Sequence, residues 1–187
     1  KAPDNLETAN MAIIDLTSTD INRRLDMIRP SDLAFVVELI RQGTANRVPI
    51  VVRICAGDIQ NDLTAIEKSG ADGVILSSLQ IPIEAVISSA RAYGKEMTVL
   101  VSCKELNADS TTKMIALGCS GIFLENECTN KELNDFAGEL AGKVGSLGVG
   151  KISDLSPENL RTSNQETAAM TGVPLAGYDS ILPMWRH

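Results

Sequence analysis

The chain has 187 residues, 44% hydrophobic and 22% charged, the composition of one ordinary globular domain, and with only 3% aromatic residues its core must be aliphatic. Seventeen basic against 24 acidic side chains give a net charge of −7, and no basic run or aromatic–basic interleaving points to nucleic acid as a partner. No apolar stretch approaches the roughly 20 residues of a membrane span, so membrane insertion is not expected.

In chain order, Lys1-Ala2-Pro3-Asp4 opens a polar segment rather than a charged-then-apolar leader, and residues 1–10 read as a flexible lead-in. Met11-Ala12-Ile13-Ile14-Asp15-Leu16 is a short strand candidate. Pro30-Ser31-Asp32 starts a helix with Leu33, Val36, Val37 and Ile40 on one face and Gly43 as its stop. Four apolar runs then recur every 24 residues, beginning at Ile50, Val74, Thr98 and Ile122. The first three each lead through a polar turn into helical spacing, the pattern of consecutive βα units in a parallel sheet. Asp58 can cap a helix with Ile59, Leu63 and Ile66 inward; Pro82 opens another with Ile83, Val86, Ile87 and Ala90 inward; a weaker helix covers Asp109 to Leu117. Gly70-Ala71-Asp72-Gly73 and Gly118-Cys119-Ser120-Gly121 precede two of the strands, their glycines suited to leaving a helix in a left-handed conformation. The longest helix is expected over about Asn130 to Leu147, with Leu133, Phe136, Ala137, Leu140 and Val144 at core spacing and glycines at 138, 142 and 145.

Residues 148–187 differ from the βα repeats of 11–147. Ser156-Pro157 and the capping box at Ser163-Asn164-Gln165-Glu166 predict two short helices, the second ended by Gly172 and Pro174. Leu175 to His187 is expected to lie irregularly on the body, anchored by Trp185. The whole reads as a single α/β domain, a partial βα barrel of about five parallel strands with a helical C-terminal closure.

The sole histidine, His187, is terminal, which removes the usual general base and imidazole-rich metal sites. Cys55, Cys103, Cys119 and Cys128 lack close CxxC spacing and read as reduced, mainly buried thiols of a cytoplasmic protein. Ligands of βα folds gather at the C-terminal ends of strands. The candidates there are Arg53 with Cys55-Ala56-Gly57-Asp58, Ser77-Ser78, Cys103-Lys104-Glu105 and Glu125-Asn126-Glu127-Cys128, with Arg53, Gly57, Ser77, Ser78 and Lys104 as the ligand-binding set. Arg53 is the sharpest, because a charge inside Val51-Val52-Arg53-Ile54 requires either an anionic ligand or a carboxylate such as Asp15, Glu105 or Glu125. Lys104-Glu105 can be an acid/base pair or an exposed loop pair, and Cys119 with Cys128 makes an incomplete metal site.

Arg47-Val48-Pro49-Ile50-Val51-Val52-Arg53-Ile54, then Ala65 through Gly70-Ala71-Asp72-Gly73-Val74-Ile75-Leu76, together with the preceding Ile28-Arg29-Pro30-Ser31-Asp32-Leu33, resembles the FMN-binding synthase half of the large glutamate synthase subunit, especially its archaeal type. The tail is the most specific part: Gly150-Lys151-Ile152-Ser153-Asp154-Leu155-Ser156-Pro157-Glu158-Asn159-Leu160 and Glu166 through Tyr178 look like the segment that closes the synthase barrel. The resemblance implies a βα barrel and FMN. Several departures stand against a working flavin site. Ser77-Ser78-Leu79-Gln80 and Ser102-Cys103-Lys104-Glu105 replace the family's glycine-rich loops, so backbone amides cannot easily surround a phosphate. Arg53 stands where the family has a lysine near the flavin, and the three cysteines of the iron–sulfur segment are not matched. The expectation is a shortened, degenerate member: a non-catalytic structural or docking subunit of a larger oxidoreductase assembly or a homo-oligomer, with no cofactor. The alternatives are an FMN-dependent, glutamate synthase-like oxidoreductase completed by another chain, and a small-anion sensor built on Arg53.

Overall fold

The computed structural model describes residues 9–17, 30–55, 58–77, 82–93 and 97–177. Five strands, β1 (Ala12–Asp15), β2 (Ile50–Cys55), β3 (Gly73–Ser77), β4 (Thr98–Cys103) and β5 (Gly121–Leu124), form one sheet in the order β1-β2-β3-β4-β5. All four neighbouring pairs are parallel. Helices α1 (Pro30–Gly43), α2 (Ile59–Ser69), α3 (Ile83–Tyr93) and α4 (Ala108–Leu117) make the crossovers, and α5 (Asn130–Ser146) follows β5. Right-handed crossovers between strands added always to the same edge put the crossover helices α1 to α4 on one face, as in a section of a βα barrel. The partial barrel expected from the sequence is present.

Register divides the side chains between the faces. Ile50, Val52, Ile54, Val74, Leu76, Val99 and Val101 share one buried cluster with Leu33 and Val37 of α1, Leu63 and Ile66 of α2, and Val86 and Ile87 of α3. The opposite face carries Asp15, Arg53, Ile75 and Leu100 in one register row. Ser77 lies one pleat further toward the strand ends on that face.

The local signals explain the element ends. Asp58 caps α2 by accepting from Asn61 N at 3.2 Å, and Gly70 (φ 77°) and Gly118 (φ 114°) leave α2 and α4 in the left-handed region. The two similar tetrads do the same work. Asp72 Oδ2 accepts from Ile50 N at 2.7 Å, tying β3 to β2, and Ser120 Oγ accepts from Val99 N at 3.2 Å, tying β5 to β4. Asp72 also takes Arg41 of α1 at 3.0 Å, so one carboxylate joins a helix to two strands. Partial burial pushes its carboxyl up, but the Ile50 N–H and the Arg41 guanidinium outweigh that and hold it below the usual carboxylate range.

α1 ends at Gly43 as expected, with the positive φ angles falling just beyond it at Ala45 (51°) and Asn46 (58°), after Thr44 has buried itself and bonded back to Ile40 O at 2.8 Å. Two expectations are corrected. Val36 is not with Leu33 and Val37 in the core but is 37% exposed. In α5 only Val144 is buried, whereas Leu133 is 43% exposed and Ala137 exposed, because that helix packs on α4 and not on the sheet.

The closing segment has two 3-10 turns, Ile152–Asp154 and Pro157–Asn159, and one helix, α6 (Gln165–Thr171). Asn164 caps α6, accepting from Glu166 N at 2.8 Å and Thr167 N at 3.2 Å, one residue beyond the expected Ser163. Leu155 is buried with Ala116 and Val144, with Leu160 against them, while α6 packs on α3. The anchoring role expected of Trp185 falls outside the described residues.

Candidate functional site

At the C-terminal ends of the strands, residues from all five meet around Arg53. Its Nε donates to Ser77 Oγ at 3.0 Å, and one Nη donates to Ser102 Oγ at 3.2 Å and to the Glu125 carboxylate. Asp15 Oδ2 lies 3.6 Å from the other Nη, and Ser102 Oγ donates to Glu125 at 2.6 Å. In a flat sheet β2 and β5 would be about 14 Å apart, with side chains standing off the surface. Contact between Arg53 and Glu125 therefore requires a sheet curled around this face, with the guanidinium spanning its concave side.

The charge inside β2 is thus satisfied by carboxylates, Asp15 and Glu125 of the three considered. The Glu125 carboxyl is held below its ordinary value, first by the Ser102 hydroxyl and then, against some desolvation, by the charges of Arg53 and Lys104. For Asp15, burial pushes upward, and the two Thr17 hydrogen bonds with Arg53 overcome it, so this carboxyl is also lowered. Both groups stay anionic at neutral pH, the opposite of what a general acid requires. Burial and the Glu125 charge push the Cys103 thiol up, and burial pushes Cys119 up to about 12, so neither is poised as a nucleophile.

Of the candidate residues, the structure brings Arg53 and Ser77 together and places Lys104 apart from them, on the β4–α4 loop. Gly57 and Ser78 lie outside the described residues, as does His187. Ser102 joins the network although its side chain carries no signal by itself; it is placed there by alternation along β4. All four cysteines are free, and no group of three or more His, Cys, Asp or Glu fit for a metal occurs among the described residues. Lys104 and Glu105 are exposed and line a groove between the β4–α4 and β5–α5 loops, which Asn126 Nδ2 brackets by donating to Lys104 O at 2.8 Å.

Among the described residues, no helix is long and apolar enough to cross a membrane. Comparison with models of known protein families and with characterised proteins finds no match.

Proposed function

We propose that the chain is a non-catalytic structural or docking subunit, related to the glutamate synthase flavin domain, whose β1 side is covered by another protein surface. The observation that carries this reading is an apolar stripe beside an open sheet edge. Phe35 is 68% exposed, Leu39 42% and Val36 37%, all on α1. Arg41, on the flank toward α2, bonds Gly70 O at 2.6 Å, and Phe35 lies half a turn from the buried Leu33 and Val37, so the stripe runs over the outward face of α1 and through Val36 onto the flank opposite Arg41, the side of the outer edge of β1. No strand among the described residues pairs with that edge. An unpaired edge with an apolar helix flank beside it is the surface that a further βα unit would cover.

The first occupant to test is a second copy of the chain. A two-fold axis beside β1 would pair the two β1 strands antiparallel and bring the two α1 stripes together on the same side of the joined sheet, using the commonest closed symmetry. The concave face supports the non-catalytic part. A flavin phosphate needs unsatisfied cations or converging amides. Arg53 is already engaged by Asp15 and Glu125, and the loop after β4 runs Lys104-Glu105-Leu106-Asn107 with no glycine. These residues do not fit a phosphorylated cofactor.

Titration with FMN tests the reading. The expected result is a colourless purified protein whose melting temperature FMN leaves unchanged. A bound flavin spectrum would overturn the non-catalytic reading, and inorganic phosphate protecting the wild type but not Arg53→Met would favour an anion sensor instead.

A further inference from the structure

The groove between the β4–α4 and β5–α5 loops has a volume of about 390 Å³, at the small end of the range for ligand sites. Its apolar surface comes from Leu106, Leu124, Cys128 and Phe136, all half-buried. Around it stand Glu105, Glu127, Asp135 and Glu139, all exposed, against the single cation Lys104. Glu132 also lines the groove, but its carboxylate is committed to Thr129 N at 2.7 Å in the cap of α5.

Asp135, Phe136 and Glu139 share one face of α5, where the like charges at 135 and 139, four residues apart, repel one another. Lys143, the nearest cation further along the helix, pairs with Asp109 at 2.9 Å, although its charge also reaches Glu139. Among the described residues no salt bridge neutralises Glu105, Glu127 or Asp135. The walls are fixed before any ligand arrives, by the Asn126 bracket and by the reciprocal Thr129–Glu132 cap.

We infer that this groove docks a basic peptide segment of a partner protein, one lysine- or arginine-bearing strand or turn that seats an aliphatic side chain on Phe136 and Leu124 between the carboxylates. Two features select that occupant. The apolar floor offers nothing to an inorganic cation, and the excess of negative charge at the rim repels acidic or phosphorylated segments. The surface is separate from the α1 stripe, and the inference does not rest on the reading given for that stripe.

The probe is a fluorescein-labelled nonapeptide with lysine or arginine at alternate positions around a central leucine, followed by fluorescence anisotropy at physiological salt. Reversing Glu127 and Asp135 together to lysine should weaken binding by at least about tenfold, whereas reversing Glu38 and Glu67 on distant helices should change it less than about twofold, since exposed charges beyond a Debye length are screened. Replacing the central leucine by glycine should weaken binding to the wild type by about fivefold and cause no further loss with Phe136→Ala, the coupling of a direct contact. Equal losses from groove and distant reversals would overturn the inference, and so would a glycine-centred peptide or spermine binding as well as the leucine peptide. If Phe136→Ala fails to fold, the charge-reversal comparison decides alone, because among the described residues neither side chain, Glu127 or Asp135, holds a hydrogen bond or salt bridge.

Discussion

Replacing Arg53 by methionine keeps the aliphatic stem and removes the charge, and its cost can be worked from the contacts. The guanidinium donates to Ser77, Ser102 and Glu125, with its side chain 21% exposed. Hydrogen bonds to charged groups contribute about 1.5–3 kcal/mol each when buried, and breaking a fully buried ion pair costs about 3–5 kcal/mol. Neither partner is fully buried: Asp15 is 50% exposed and keeps its Thr17 bonds, and Glu125 is 26% exposed and keeps the Ser102 hydroxyl. Water can rehydrate both, which brings the expected loss to about 2 kcal/mol, or about 4–8 °C in Tm for a chain of this size. Urea unfolding should show the midpoint falling with the m-value unchanged. The pH dependence separates charge from packing. Asp15 and Glu125 both have lowered pKa values in the folded state, so the stability they contribute is present above their ordinary values of 3.8 and 4.5 and is lost as pH falls through the folded values. The gap between wild type and Arg53→Met should therefore be widest near neutrality and close in strong acid. A gap that stays constant with pH, or a variant as stable as the wild type at pH 7, would refute the ionic account of the concave face.

Three further outcomes follow from single positions. Gly138 and Gly142 lie inside α5 with open space where a Cβ would go, so alanine at either should stabilise by about 0.5–1 kcal/mol, and a loss measured by thermal unfolding would mean that another surface packs there. Asp72→Asn should lower stability at neutral pH and flatten its decline in acid, since the lowered carboxyl stabilises only above its folded pKa; equal acid limbs in the two proteins would contradict the link drawn between α1, β2 and β3. Cys119, buried and raised to about 12, should resist alkylation at pH 8 until urea unfolds the chain, while half-buried Cys128 reacts in the native state; mass spectrometry of labelled peptides reads both.

Much of the fold was legible because its signals are local. The 24-residue rhythm, the Asp58 cap and the left-handed Gly70 and Gly118 each depend on a few neighbouring residues. The site was legible only in part. A charge in an apolar strand demands a partner, which narrowed Arg53 to an anionic ligand or one of three carboxylates, but the choice of Asp15 and Glu125 over Glu105 depends on how tightly the sheet curls. Ser102 entered for the same reason. The two loops of the groove, at Cys103-Lys104-Glu105 and Glu125-Asn126-Glu127-Cys128, were legible as strand-end candidates, but the groove between them was not, since the loops are about 20 residues apart and their juxtaposition follows from β4 and β5 being neighbours. Helical spacing in α5 misled because Leu133 satisfies the periodicity of a core helix while no strand among the described residues follows β5 to cover it.

Light scattering coupled to size exclusion tests the docking surface most directly. The account predicts a particle of twice the 20.0 kDa chain mass that falls to 20.0 kDa when Phe35 and Leu39 are both replaced by glutamate, with the helical signal intact. A wild-type protein that stays at 20.0 kDa across the concentration range and loses nothing on that double replacement would contradict it.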